Sequence, residues 1–223
     1  MIYDRFQKEA TDYINQGYSV IVSAPTGAGK TAIAEYVIDN CIKNGTGVIY
    51  TAPIKALSNQ KFRDFQNQFK ENIGILTGDI SVNPSASVLI MTTEIFRNKI
   101  LDESQSLKSY TWAIFDEVHY LDNPERGTVW EEALMFLPEH MKLLALSATI
   151  PNIKQISSWI ESIHRSPLKI VIEDKRPVPL HFFFQYQNEI FDDMNKIKKG
   201  YGIRPNRIST LINYLFQKKA LPC

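Results

Sequence analysis

A short loop between a strand-like run and a helical pattern limits most strongly what this chain can fold into. The apolar residues 19–23 lead into Ala24-Pro25-Thr26-Gly27-Ala28-Gly29-Lys30-Thr31, and a helical pattern follows. Gly27 and Gly29 can adopt backbone angles that residues with a Cβ atom avoid, so successive N–H groups can turn inward around a phosphate. The pattern predicts an α/β fold with a phosphate-binding loop at Thr26, Gly27, Ala28, Gly29, Lys30 and Thr31.

Two residues at the end of this loop add charge and metal chemistry. Lys30 supplies a positive charge for the β- and γ-phosphates, and the Thr31 hydroxyl is suited to bind Mg²⁺. The helix that begins there presents its positive N-terminal end to the same anion. Ala24 departs from the general Gly-x-x-x-x-Gly-Lys-[Ser/Thr] pattern, in which a glycine stands first. The alternative is a glycine-rich turn with a chance lysine.

An acidic pair follows another apolar run, in Trp112-Ala113-Ile114-Phe115-Asp116-Glu117-Val118-His119. A strand that ends in two carboxylates can present a magnesium ligand, Asp116, and a base that activates water, Glu117. The pattern is weak by itself, because an acidic turn after a strand is common. Together with the phosphate-binding loop, it predicts a nucleoside triphosphatase that uses ATP and Mg²⁺.

Composition is that of an ordinary globular protein. The 223 residues are 44% hydrophobic and 22% charged, and the net charge of +1 excludes a broadly basic surface for nucleic acid. Any nucleic-acid contact must therefore be a local groove. Two cysteines, Cys41 and Cys223, cannot form a disulfide framework, and the chain shows neither a signal peptide nor an apolar run of membrane length. We expect a cytoplasmic, reduced protein without a membrane contact.

Short β-type runs alternate with helical patterns, which predicts a parallel sheet with helices on both faces. Strands are expected at 19–23 and near 47–51, 73–76, 87–91, 111–115 and 142–146, and helices at about 4–16, 30–44, 54–70, 93–101, 128–137 and 152–162. Ligands of such sheets bind beyond the carboxyl ends of the strands. The proline-rich stretch 176–179 predicts an extended connector, which divides the chain into domains at 1–175 and 176–223.

Several segments together resemble the superfamily-two DExH helicases. Asp-Glu-Val-His at 116–119, Ser147-Ala148-Thr149 and the phosphate-binding loop have the order and rough spacing of that family. The resemblance is greatest to the superkiller family of RNA helicases, which feed RNA to the exosome, in segments 50–62, 76–79, 91–95, 126–132 and 175–180. Segments 123–127 and 144–149 also resemble archaeal DNA repair helicases. The resemblance implies a RecA-like motor domain and single-stranded nucleic acid as partner, with RNA favoured over DNA.

The resemblance also assigns roles to individual residues. It implies that Asp116 holds Mg²⁺ through a water molecule and that Glu117 polarises the attacking water. It implies that Gln7 reads the adenine edge, although a glutamine on a helix surface is the ordinary interpretation. His119 would connect the nucleotide side to Ser147 and Thr149, which couple hydrolysis to nucleic-acid binding in this family.

Two strand-to-helix junctions offer a nucleic-acid surface. Free backbone N–H groups at the start of a helix bind backbone phosphates without distinguishing base sequence. The predicted contacts are Pro53, Lys55, Gly78, Thr92, Thr93 and Arg97. Thr92-Thr93 is also a typical helix N-cap, which is compatible with this role. The aromatic run 182–184 is expected to be buried in a strand rather than to stack on bases, and Asp192-Asp193 to be a solvated face.

The DExH helicases that the sequence resembles bind ATP in a cleft between two similar domains. The arginines that the second domain supplies have no counterpart in this sequence. A helix-like segment at 207–219 leads into 220–223, which resembles the entry to the first strand of that second domain. The sequence is therefore expected to represent a fragment that binds nucleotide better than it hydrolyses it. A nucleotide-dependent binding module without hydrolysis is an alternative, against which Glu117 argues. A nucleotide switch or small-molecule kinase would leave segments 53–55 and 92–94 unexplained.

Overall fold

The computed structural model describes residues 3–122, 127–164, 166–179, 183–186 and 189–192. Parts of several predictions lie outside these residues: segment 123–126, Leu180, Phe182, Asp193, the helix-like segment 207–219 and Cys223. The described residues fall into two compact units, divided between Pro177 and Val178. This division lies within the predicted connector at 176–179.

The first unit alternates strands and helices along its whole length. Its helices are α1 (Arg5–Asn15), α2 (Thr31–Lys43), α3 (Lys55–Phe69), α4 (Thr93–Asp102), α5 (Gly127–Met135) and α6 (Ile153–His164). Its strands are β1 (Ser19–Ser23), β2 (Gly47–Ala52), β3 (Ile73–Leu76), β4 (Ser81–Val82), β5 (Val88–Thr92), β6 (Tyr110–Asp116), β7 (Lys142–Ser147) and β8 (Leu168–Ile172). All six predicted strands and all six predicted helices are present, whereas β4 and β8 were not predicted.

The eight strands form one sheet with the order β4-β3-β5-β2-β6-β7-β1-β8. Every pairing is parallel except that of β3 with the short edge strand β4. The predicted parallel sheet is therefore confirmed in a mixed form, with one antiparallel edge. Because parallel neighbours end at the same edge, the segments that follow β1, β2, β6 and β7 are brought together there.

Alternate residues of the central strands pack into two hydrophobic cores, one on each face of the sheet. Val20 and Val22 face the core that receives α1, α2 and α3, whereas Ile21 faces the core that receives α4, α5 and α6. The apolar runs that mark these strands in the sequence follow from burial on both faces. The sheet, packed on both faces, carries the loops at its carboxyl edge.

Glycines end the first two helices by the same local mechanism. Gly17 and Gly45 have φ angles of 88° and 67°, in the left-handed region that glycine tolerates. The next residues, Tyr18 and Thr46, donate their N–H groups back to the last helical turns at 3.1 and 2.9 Å. These are Schellman motifs, and they turn the chain directly into β1 and β2.

The described part of the second unit is a two-stranded antiparallel pair. Strand β9 (Phe184–Tyr186) pairs with β10 (Glu189–Phe191). In the predicted aromatic strand, Phe184 begins β9, whereas Phe183 lies just before it, and both are half-buried where burial was predicted. Among the helices in the described parts of both units, none combines the length and the apolar character needed to cross a membrane.

Candidate nucleotide and nucleic-acid site

The sheet order places three of the sequence motifs side by side. Strand β7 lies between β6 and β1, so that Ser147 is paired in register with Ser23 and Leu146 with Asp116. The phosphate-binding loop begins directly after Ser23, and Asp116 is the last residue of β6. The loop, the acidic pair and the Ser-Ala-Thr segment therefore meet at one edge of the sheet.

The phosphate-binding loop has the backbone that its glycines predict. Gly27 and Gly29 have φ angles of 83° and 89°, which residues with a Cβ atom rarely adopt. At Gly29 a Cβ atom would also lie 2.7 Å from Gln7 Nε2. The left-handed backbone favours glycine here, and a Cβ atom would in addition displace the end of the Gln7 side chain. Thr26, Gly27 and Gly29 are exposed, whereas Ala28 is buried against the core.

Gln7 braces this loop through its amide group. Its Nε2 donates to the Gly29 carbonyl at 2.9 Å, and its Oε1 accepts from the Asp4 N–H at 2.8 Å. Only 7% of Gln7 is exposed. The side chain therefore has a structural task next to the loop, and each end of the amide retains one further hydrogen-bonding position for the predicted contact with adenine.

The Lys30 ammonium lies inside the loop. It donates to the carbonyl groups of Ala24 at 2.8 Å and Pro25 at 3.2 Å. Burial lowers the pKa of Lys30, the carboxylates of Glu117 and Asp116 oppose that effect, and the nearby Lys61 ammonium adds to it. Burial thus disfavours the charged form of Lys30, which a bound phosphate would stabilise.

Asp116 is held by a buried tyrosine of the neighbouring strand. The Tyr50 hydroxyl donates to Asp116 Oδ2 at 2.5 Å, and the Glu117 N–H donates to Oδ1 at 3.0 Å. Burial raises the pKa of Tyr50 well above its ordinary value, and the Asp116 carboxylate raises it further. The tyrosine therefore stays protonated and fixes the orientation of the carboxylate.

The two predicted Mg²⁺ ligands, Thr31 and Asp116, both direct an oxygen towards the Lys61 ammonium. Lys61 Nζ lies 3.0 Å from Thr31 Oγ1 and 3.8 Å from Asp116 Oδ2. A hydroxyl and a carboxylate directed at a common positive charge suit Mg²⁺, which proteins usually bind through few side chains, with waters and phosphates completing the shell. Among the described residues no group of three or more His, Cys, Asp or Glu could hold a metal ion. Mg²⁺ would supply neutralisation of phosphate charge at this position.

Glu117 has an unusual backbone conformation. Its φ angle of 61° lies in the left-handed region, which costs a residue other than glycine about 1–3 kcal/mol. The kink ends β6 and leads into the 3₁₀ turn Val118–Asp122. Glu117 Oε2 lies 3.3 Å from His119 Nδ1, although the pair lacks the alignment of a hydrogen bond. Backbone strain of this kind is common at functional sites, which agrees with the predicted role of Glu117 in activating water.

The structure separates the three predicted coupling residues into two environments. His119 and Thr149 line a cavity of about 590 Å³, together with Glu131, Asn152 and Trp159. Ser147 is fully buried at the end of β7, and its Oγ has no hydrogen-bond partner. The Ser-Ala-Thr segment instead contacts β1 through Ser23, whose Oγ donates to the Ala148 carbonyl and accepts from the Ile150 N–H, each at 3.4 Å.

Five of the six predicted nucleic-acid contacts line one cavity of about 720 Å³: Pro53, Lys55, Gly78, Thr92 and Thr93. The backbone amides at the start of α3 and α4 lie here. Thr92 caps α4 by accepting from the Ile95 N–H at 3.4 Å. Lys55 forms an exposed ion pair with Asp79 and lies close to Gly78, where a Cβ atom would be 3.3 Å from the ammonium.

Arg97 is the predicted contact that this cavity does not include. Its Nη1 pairs with Glu132 Oε2 at 3.2 Å, between α4 and α5. Asn98 and Trp130 line the cavity and were not predicted. Asn98 is one residue beyond Arg97, so the helical phase of α4 decides which side chain reaches the cavity.

Tyr50 and Lys61 are the residues of the nucleotide side that the sequence did not reveal. Tyr50 looks like one apolar residue of a buried strand, and Lys61 looks like one of many charges on a helix. Their roles depend on the register between β2 and β6 and on the face of α3 that packs on the sheet. Such contacts follow from the tertiary structure, and the local pattern carries no signal of them.

A family model described as DEAD/DEAH box helicase matches residues 4–156. The chain belongs to this family. It is 49% identical over 194 residues to superkiller complex protein 2 of Mus musculus, covering 84% of this chain and 16% of that protein. It is 46% identical over 184 residues to the exosome RNA helicase MTR4 of Homo sapiens, covering 82% of this chain and 18% of that protein.

The helicase fold is also seen in solved structures. The helicase Lhr of Mycobacterium smegmatis, bound to ssDNA and AMP-PNP, matches with a TM-score of 0.63 and 26% sequence identity, over 75% of this chain and 25% of that chain. The predicted RecA-like fold and the predicted DExH resemblance are confirmed. This chain spans less than a fifth of the length of the two curated relatives, so their whole activities do not transfer to it directly.

Proposed function

We propose that this chain is the ATP-binding motor domain of an ATP-dependent helicase that acts on single-stranded nucleic acid, with RNA favoured over DNA. The observation that carries the proposal is the convergence at one sheet edge of Lys30, Thr31, Asp116 and Glu117. The relative named as an exosome RNA helicase supports RNA, because its similarity extends over 82% of this chain.

In this proposal the loop binds the phosphates of ATP and Lys30 contributes its charge to them. Thr31 and Asp116 hold Mg²⁺, and Glu117 accepts a proton from the attacking water. Pro53, Lys55, Gly78, Thr92 and Thr93 contact backbone phosphates of the nucleic acid from the separate cavity at the starts of α3 and α4. Contacts of this kind position a strand without selecting its sequence.

The decisive experiment is calorimetric titration of the protein with ADP in the presence of Mg²⁺. The Lys30→Ala variant is expected to lose at least about tenfold in affinity, because a charge-assisted phosphate contact disappears. Lys43→Ala is the matched control, since Lys43 is exposed at the other end of the same helix. Equal affinities for wild type and Lys30→Ala would refute the assignment of the loop.

A second titration addresses nucleic acid. Fluorescent single strands of RNA and DNA of the same sequence are compared at several salt concentrations, with wild type and Lys55→Ala. Binding is expected to weaken as salt rises, to depend little on base sequence and to be weaker in the variant. Binding that salt does not affect would contradict a phosphate-binding surface. If DNA binds more tightly than RNA, DNA becomes the favoured substrate.

A further inference from the structure

Lys61 occupies an enclosed position between the two predicted magnesium ligands. Its side chain is 17% exposed, and its ammonium contacts Thr31 Oγ1 at 3.0 Å. The Asp116 carboxylate lies 3.8 Å from the same ammonium. The rings of Tyr50 and Phe65 complete the surroundings, with the ammonium 5.9 Å from each ring centroid. Oxygens and aromatic faces on several sides make a site that favours a cation.

Lys61 is one of two ammonium groups near the carboxylates of Asp116 and Glu117, the other being Lys30. The Glu35 carboxylate also interacts with the Lys61 charge. A free divalent cation between Thr31 and Asp116 would meet the Lys61 charge at short range. Two like charges about 4 Å apart repel by several kcal/mol at the effective dielectric of a protein surface. Phosphate groups that enter with the metal would offset that repulsion.

We propose that the Lys61 ammonium takes the place of the divalent cation in the nucleotide-free protein and must withdraw when the metal enters with a nucleotide. Lys61 is then a gatekeeper residue: it keeps the Thr31–Asp116 site closed to free metal ions and open to the metal–nucleotide complex. This inference rests on the proposed function, because it concerns the same metal ligands.

Its direct consequence concerns metal binding in the absence of nucleotide. Removal of the Lys61 charge leaves the Asp116 carboxylate with one cation fewer, which should let a free divalent ion bind. A lysine that served only to stabilise the fold would produce no such gain. The two roles therefore differ in a quantity that is independent of ATP hydrolysis.

The test is a titration of nucleotide-free protein with Mn²⁺, followed by electron paramagnetic resonance of the free ion. Lys61→Met keeps the length of the side chain and removes its charge, and Lys61→Gln is a second neutral variant. Both are expected to bind Mn²⁺ at least about tenfold more tightly than wild type, since a repulsion of several kcal/mol is removed. Lys43→Met, at an exposed position of α2, should bind as wild type does.

A double variant locates the metal. Adding Asp116→Asn to Lys61→Met should abolish the gain, because the ligand itself is lost. An unchanged Mn²⁺ affinity in folded Lys61→Met and Lys61→Gln overturns the proposal, and so does a gain that persists in the double variant. Circular dichroism identifies variants that have not folded.

Failure of this inference is distinguishable from failure of the proposed function. If Lys30→Ala loses ADP affinity while Mn²⁺ affinity does not change in the Lys61 variants, the nucleotide site stands and the gatekeeper role falls. If Lys30→Ala binds ADP as wild type does, the proposed function itself falls.

Discussion

The hydrogen bond between Tyr50 and Asp116 allows a quantitative prediction. Tyr50→Phe removes the hydroxyl that donates to Asp116 Oδ2 at 2.5 Å and keeps the ring, which packs edge-on against Phe65 at 5.5 Å between centroids. Tyr50 is fully buried and Asp116 is only 9% exposed, so water cannot readily replace the lost donor. Hydrogen bonds to charged groups contribute about 1.5–3 kcal/mol. We expect the free energy of unfolding to fall by about 2 kcal/mol.

The measurement is urea denaturation followed by tryptophan fluorescence. Trp112, Trp130 and Trp159 are the three tryptophans of the chain, and all belong to the first unit. Tyr36→Phe is the matched control, because the Tyr36 hydroxyl makes an exposed hydrogen bond to Asn15 Oδ1 at 2.6 Å that water can replace. That variant should lose no more than about 0.5 kcal/mol. The slope of the unfolding free energy against urea concentration should be the same in both variants as in wild type.

A double-mutant cycle with Asp116→Asn isolates the interaction. In the Asp116→Asn background, Tyr50→Phe should lower the free energy of unfolding by a smaller amount than in wild type, because the charged acceptor is already gone. The two losses should differ by at least about 1 kcal/mol. If Tyr50→Phe is no more destabilising than Tyr36→Phe, or if its cost is the same in both backgrounds, the hydroxyl does not hold the Asp116 carboxylate and the reasoning fails.

Three further predictions follow from the same site. Raising the pH above 10.0, the ordinary tyrosine pKa, should reduce the difference in unfolding free energy between wild type and Tyr50→Phe. The reason is that the unfolded chain releases the Tyr50 proton in this range, whereas the native state retains it. Denaturation curves from pH 8 to 11 measure this difference. Gly29→Ala and Gly45→Ala should both lower stability, because both positions have a left-handed backbone, but only Gly29→Ala should also weaken binding of Mg-ADP, because its Cβ would displace the Gln7 amide from the loop. Calorimetry and denaturation measure the two effects, and equal ADP affinities of the two variants would contradict the role of Gly29 in the loop. Glu117→Gln should retain ADP affinity within about threefold and lower any hydrolysis, since the carboxylate acts on water; a loss of affinity as large as that of Lys30→Ala would exclude Glu117 as the base.

The elements that the sequence predicts well are those defined by local chemistry. The phosphate-binding loop is visible because Gly27 and Gly29 stand between an apolar run and a helical pattern, and the structure gives both a left-handed backbone. The edge strand β4 was missed because two exposed residues carry no periodic pattern. Strand β8 was missed although Pro167 separates it from α6 and its residues, 168–172, form a short β-type run.

The contacts of the site were harder to predict, because they depend on side chains far apart in the sequence. Lys61 and Thr31 are 30 residues apart, and Tyr50 and Asp116 are 66 apart. Gln7 was predicted to contact the adenine of a nucleotide, and its contact with the Gly29 carbonyl could not be foreseen from a helix pattern. Arg97 was predicted from its charge, whereas its partner Glu132 lies on α5 and depends on how the two helices pack.

The strand order places the Ser-Ala-Thr segment between the two nucleotide-binding motifs. Strand β7 pairs with both β6 and β1, so the Ser-Ala-Thr segment at its end lies beside Asp116 on one side and beside the phosphate-binding loop on the other. Ser23 ties the start of that loop to Ala148 and Ile150, and Thr149 between them lines the same cavity as His119. These contacts give a short route between the phosphate-binding loop and the Thr149 cavity, and the coupling role of Thr149 stays a prediction.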